Sequence, residues 1–203
     1  MKKVHYLSGL TITLFVGFHL FNHLMSVFGA EVHIEIMNVM RKVYRNFMVE
    51  TILLTAVLVQ IISGLKLFFT KRKLVSNFFD RLQVWTGLYL AFFLLIHVGA
   101  VLMGRFVLHL DTNFYFGVAG LNTFPLNFFF IPYYGLAVIS FFGHIAAIHY
   151  QKMQASVLEL SVQKQSKLIL GIGFVLTAIL FFGLTNGFRG VEIPDEYLIM
   201  TGK

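Results

Sequence analysis

Five apolar runs, at roughly 5–28, 48–70, 83–104, 126–150 and 166–187, decide what this chain can become. Each is long enough, at about 1.5 Å per helical residue, to cross about 30 Å of hydrocarbon. In that solvent every backbone N–H and C=O must be paired within its own segment, so runs of this length fold as helices. The short alternating segments that a membrane β-barrel needs are absent from the sequence. The expected fold is all-α: a five-helix integral membrane bundle forming a single transmembrane domain over residues 1–203. Composition agrees, because 58 % hydrophobic residues against 12 % charged is more apolar side chain than a soluble domain of this size can hide.

The net charge of +7 would suggest nucleic acid in a soluble domain, but here the Lys and Arg residues cluster between the apolar runs. They read as topology signals, with no nucleic-acid partner. A cytoplasmic N-terminus puts Lys2, Lys3, Lys71, Arg72, Lys73, Arg81, Lys152, Lys164 and Lys167 inside, against Arg41, Lys42, Arg45, Arg105, Arg189 and Lys203 outside. The positive-inside rule therefore favours N-in and C-out, with Lys71-Arg72-Lys73 as the firmest inward anchor. The first run follows Lys2 and Lys3 as a signal peptide would. It is too long for one, carries two histidines and lacks a small-x-small cleavage site, so it reads as a retained first helix.

No cysteine is present, which excludes thiolate metal sites, cysteine nucleophiles and iron–sulfur ligation by this chain. The eight histidines carry the remaining chemistry, since ionisable groups at membrane depth are costly and face the bundle interior. His33 and His109 fall in outer segments and read as solvated loop residues, while His5 and His149 sit near the inner interface. His19 and His23 in the first span, His97 in the third and His144 in the fourth lie within apolar sequence. Helical rise places His19 and His97 each roughly 21 Å outward from the start of its span, so the two are level. His144, on an inward-running span, falls near the inner side and cannot meet His97. Two neutral imidazoles at equal depth between helices are what a bis-histidine haem b requires. This depth sorting also weakens a di-iron hydroxylase reading, which needs its histidines gathered on one side. Gly17, Gly64, Gly87, Gly99, Gly135 and Gly143 give backbone room for a macrocycle or for close helix packing.

His5-Tyr6-Leu7-Ser8-Gly9, the HLFNHL run at 19–24 followed by Gly29-Ala30-Glu31, Asp80-Arg81-Leu82-Gln83 with Thr86-Gly87 and then His97, and Tyr134, Ser140 and His144 are spread over the apolar runs. Together they resemble the cytochrome b membrane-anchor subunit of succinate dehydrogenase and fumarate reductase, of the single-polypeptide, five-helix kind. The resemblance implies that His19 and His97 are axial ligands of an outer haem b, and that His144 matches a ligand of an inner haem. The helix II partner of that inner haem is expected four residues before a glycine, and Gln60 stands there before Gly64. Three outcomes stay open: one haem only, an inner haem held by His144 with a substitute such as His5, or an inner site remodelled for quinone.

The function so implied is electron transfer between membrane quinone and flavoprotein and iron–sulfur subunits docked on the cytoplasmic face, in a bacterial cytoplasmic membrane. The chain would conduct electrons and bind quinone without itself performing the dehydrogenation. His5, Ser8, Arg81 and Gln83 are the candidate polar groups for the quinone, because its carbonyls need hydrogen-bond donors at an apolar edge. A standalone b-type cytochrome or haem-handling protein with the same His19–His97 site is the alternative. A non-redox transporter with a histidine-lined path is the second. That rival expects broken midplane helices, which Pro125 and Pro132, at the outer start of the fourth span, do not supply. Because the chain is cysteine-free, the orientation is directly testable: a Lys73→Cys variant reacts with a membrane-impermeant maleimide from the cytoplasmic side only, and Arg189→Cys from the opposite side only.

Overall fold

The computed structural model describes residues 2–202, and among them every named element is helical. Seven α-helices run in order: α1 Lys2–Leu24, α2 Ala30–Tyr44, α3 Phe47–Lys71, α4 Phe78–Phe106, α5 Phe114–Val118, α6 Asn127–Lys152 and α7 Val162–Leu184. Five of these, α1, α3, α4, α6 and α7, are long and apolar enough to cross a membrane. Following the charge pattern, the end carrying the α3–α4 loop is called inner and the opposite end outer.

Helix starts are set by local capping. The side chains of Asn46, Asn77, Asn113 and Ser161 accept from backbone N–H groups in the first turns of α3, α4, α5 and α7. The Asn77 cap explains why α4 begins at Phe78, before the expected 83: Asp80 and Arg81 are helical but precede the apolar stretch that hydropathy detects. Pro132 stands inside α6, in its second turn, rather than at the start of the span as expected. Its missing N–H frees one carbonyl near the outer end without ending the helix.

Between the first two spans, where only a connecting segment is expected, the chain makes a 3-10 turn (Met25–Phe28) and then α2. Gly29, at φ 114°, takes a backbone conformation that L side chains rarely adopt and so lets the chain turn into α2. His33 and Met37, one turn apart, are the buried face of α2. The C-terminal segment folds back in a 3-10 turn over Asp195–Thr201, where fully buried Tyr197 donates to the Asp111 carbonyl at 3.0 Å. Val191 N–H donates to Asn122 Oδ1 at 3.1 Å, and the Asn122 amide in turn reaches the Leu184 carbonyl. Arg41 pairs with Asp111 at 2.8 Å and Arg105 pairs with Glu50, so the outer end is a lid tied by hydrogen bonds and ion pairs.

The spanning helices pack as a ring. The extensive contacts are α1 with α3, α3 with α4, α4 with α6 and α6 with α7, and α7 returns to α1 and its 3-10 turn. Across this ring α1 faces α4 and α6 without comparable packing. Lipid-facing positions are large and apolar, as at Leu14, Phe18, Leu58, Ile62, Trp85, Phe92, Leu95 and Val175. The seams use small residues instead, with Gly135, Ala137, Ser140, Gly143, Ala146 and Ala147 buried along α6. At the α7 seam a Cβ on Gly183 would stand 2.7 Å from the backbone nitrogen of Val27, where nothing flexible can yield. Gly171 has open space around it. Gly183→Ala therefore lowers the thermal midpoint of the detergent-solubilised protein, by overpacking worth about 1–3 kcal/mol, whereas Gly171→Ala leaves it unchanged or raises it.

Candidate functional site

The histidines fall into two groups at opposite ends of the bundle. In the outer half, α1 carries His19 and His23 one turn apart, and α4 brings His97 level with His19: the ring centroids are 6.0 Å apart with planes at 67°. Each ring is set by a phenylalanine one turn before it. Phe15 stacks on His19 at 5.7 Å and Phe93 on His97 at 4.9 Å. Tyr134 of α6 meets the His97 ring edge-on at 6.4 Å.

His19 also begins a chain of imidazoles that leads outward. His19 Nε2 lies 3.1 Å from His23 Nε2, His23 Nδ1 lies 3.2 Å from His33 Nε2, and His33 Nε2 lies 3.1 Å from Asn22 Nδ2. The Asn22 amide nitrogen only donates, so His33 Nε2 accepts from it and from His23 Nδ1–H, and His23 Nε2 accepts from His19 Nε2–H. The chain therefore suits neutral rings throughout. This overturns the reading of His33 as a solvated loop residue: it is 2 % exposed, packed edge-on against Phe114 of α5. The signal available in the sequence is its spacing of four from Met37 on an amphipathic helix. His109, by contrast, is exposed as expected.

At the inner end His5 of α1 and His144 of α6 occupy corresponding places. His5 Nδ1 is 2.7 Å from Ser63 Oγ of α3, and its ring lies over Gly64. His144 Nδ1 is 3.1 Å from the Gln83 carbonyl and 3.2 Å from Thr86 Oγ1 of α4, and its ring lies over Gly87. Gln60, at the expected ligand position of helix II, is turned toward α1: its amide donates to the His5 carbonyl and, at 2.9 Å, to Ser8 Oγ.

Hydrogen bonds divide the four residues assigned to quinone between different partners. His5 and Ser8 meet Gln60 and Ser63, whereas Gln83 meets Asp80 through a shared Gln151 amide, and Arg81 is exposed. His149 points to α7, where its Nε2 lies 2.9 Å from Gln165 Oε1, and Gln165 in turn holds the α6–α7 loop through the Ala155 and Leu160 carbonyls.

Among the described residues no three His, Cys, Asp or Glu side chains converge as a metal cage. The outer histidines form a line, which fits neither a zinc tetrahedron nor a di-iron centre. A metal held between the His19 and His97 imidazoles would set their ring centres about 6.4–6.6 Å apart, from about 2.0–2.1 Å between nitrogen and metal and about 1.2 Å between nitrogen and ring centre on each side, so the 6.0 Å pair would have to open slightly to take one. To offer Nε2 to that metal His19 must release His23, one hydrogen bond worth about 1 kcal/mol. No family model, curated protein or solved structure matches the chain.

Burial, with smaller contributions from His19 and Arg41, pulls the His33 pKa from 6.5 down to about 4. The unfolded chain therefore takes up this proton first. His33's contribution to stability is whole above about pH 6.5 and is lost as the pH falls toward 4. A His33→Leu variant, whose side chain takes no proton beside His23 and Arg41, loses some of the acid slope of the thermal midpoint between those limits.

Proposed function

We propose that this integral membrane protein is a haem b-carrying anchor subunit of a succinate dehydrogenase or fumarate reductase-like complex. It passes electrons between membrane quinone and cytoplasmic flavoprotein and iron–sulfur subunits, in a bacterial cytoplasmic membrane. The observation that supports this reading best is the His19–His97 pair. Two imidazoles on helices that face each other across the ring stand 6.0 Å apart, with no carboxylate among their hydrogen-bond partners.

His19 and His97 are the residues that would hold the haem, and the haem when bound supplies a one-electron carrier between the two faces of the membrane. The protein's own role is positional. Phe15 and Phe93 fix the planes of the two rings, and α3 and α6 flank them. Surrounding apolar side chains keep water from the pair and favour neutral imidazoles, which is the state an axial ligand needs.

Purified from its membrane, the protein is expected to show a Soret band and a b-type pyridine haemochrome. His19→Ala and His97→Ala each abolish the outer haem, while His109→Ala leaves it. A colourless preparation, or a haem content indifferent to His19 and His97, overturns the assignment. Copurification of flavin and iron–sulfur absorbance separates the anchor from a cytochrome that works alone.

A further inference from the structure

We propose that α2 is an interfacial membrane-binding helix, seated in the outer leaflet with the flank of Val39 and Val43 among lipid acyl chains and the face of Glu31, Glu35 and Lys42 in water. α2 is not one of the five spans, and its seat is independent of any haem.

Depth locates the helix. α1 rises about 1.5 Å per residue, so His23 lies about 27 Å outward of His5, close to the limit of about 30 Å of hydrocarbon. His33, near the start of α2, is 3.2 Å from His23, and Tyr44, its last residue, reaches inward to meet the Phe15 ring edge-on at 5.7 Å. Both ends of α2 thus hold to α1. The helix lies along the outer surface of the bundle instead of standing up from it, at the level where hydrocarbon gives way to headgroups.

At about 100° per residue, α2 then presents four distinct flanks. His33 and Met37 are buried against the bundle. To one side of them Arg41 pairs with Asp111 of the α4–α5 connection, so that flank is turned inward over the protein. Glu31, Glu35 and Lys42 fall opposite the buried pair and are exposed. Val39 and Val43 fall on the remaining flank, opposite Arg41, and each is 65 % exposed.

A single exposed valine needs no partner, but this flank continues a surface that already faces lipid. Four residues after Val43 come Phe47 and Met48, 83 % and 70 % exposed at the outer end of α3, and these lead to Ile52, Leu58 and Ile62 on the lipid side of that span. Continuity at this depth names the occupant as outer-leaflet lipid. Charge narrows the contact further. The water face carries two carboxylates and one ammonium and has no basic cluster to draw anionic headgroups, so the seat depends on apolar area. Lipid therefore helps to hold the helix that presents His33 to His23.

The absence of cysteine allows a direct test on the full-length chain. Val39→Cys, Val43→Cys, Glu35→Cys and Lys42→Cys each carry a nitroxide in phosphatidylcholine nanodiscs, and power saturation is measured with oxygen, which partitions into lipid, and with a nickel chelate, which stays in water. All four positions are exposed, so the substitutions spare the fold, as far-UV circular dichroism checks. Labels on Val39→Cys and Val43→Cys are expected to respond severalfold more to oxygen than to nickel, and those on Glu35→Cys and Lys42→Cys the reverse, with no change when phosphatidylglycerol is added. Equal nickel access at all four positions overturns the proposal. Labels on the valine flank that respond to neither reagent overturn it too, with spin–spin broadening identifying a second copy of the chain as the occupant. An oxygen response confined to nanodiscs containing phosphatidylglycerol also overturns it, since headgroup charge would then supply the seat.

Discussion

A neutral imidazole has one proton to give and one lone pair to fill, and in an apolar bundle leaving either uncompensated is costly. That constraint organises this structure. Outside hydrocarbon a histidine can satisfy both needs with water; here each must find a protein atom or keep a nitrogen for something else. In the outer half, His19, His23 and His33 bond to one another and to Asn22, and His33 Nδ1 and Asn22 Oδ1 stay buried without a partner among the described residues. At the inner end His5 and His144 give their protons to a serine and a carbonyl and keep a nitrogen each. The helices are placed accordingly: α1, which carries three of these five residues, reaches α3, α2 and α4 through side chains, the last without comparable backbone packing.

The ring of helices makes this arrangement possible. Small residues draw α6 tightly onto α4 and α7, as where Gly143 admits Thr86 and Leu82, so the close seams lie on one side of the bundle. The imidazoles that matter lie instead on helices that face one another across the ring. Tight seams carry the cohesion of the bundle, and the wider diagonals carry its chemistry. A membrane protein cannot rely on solvent exclusion to press helices together, so steric fit at the seams has to supply that force.

How much of this was legible in the sequence follows from what hydropathy measures. The five spans were, because about 20 apolar residues in a row admit few other folds, and the level of His19 and His97 followed from helical rise alone. The start of α4 was not, since Asp80 and Arg81 are polar yet helical, and only the Asn77 cap marks where the helix begins. Nor was α2, whose polar and apolar positions alternate around a helix that lies outside the five spans, so a length-based reading sees a loop. Without α2, His33 reads as solvated and its link to His23 is invisible. The meaning of Gln60 is equally hidden: its type can be read, but its direction toward α1 depends on packing.

The lid at the outer end has a consequence for how the protein is made. Its last ties, Val191 to Asn122 and Tyr197 to Asp111, belong to residues that leave the ribosome after every spanning helix has been synthesised. Closure is thus a terminal event in biogenesis.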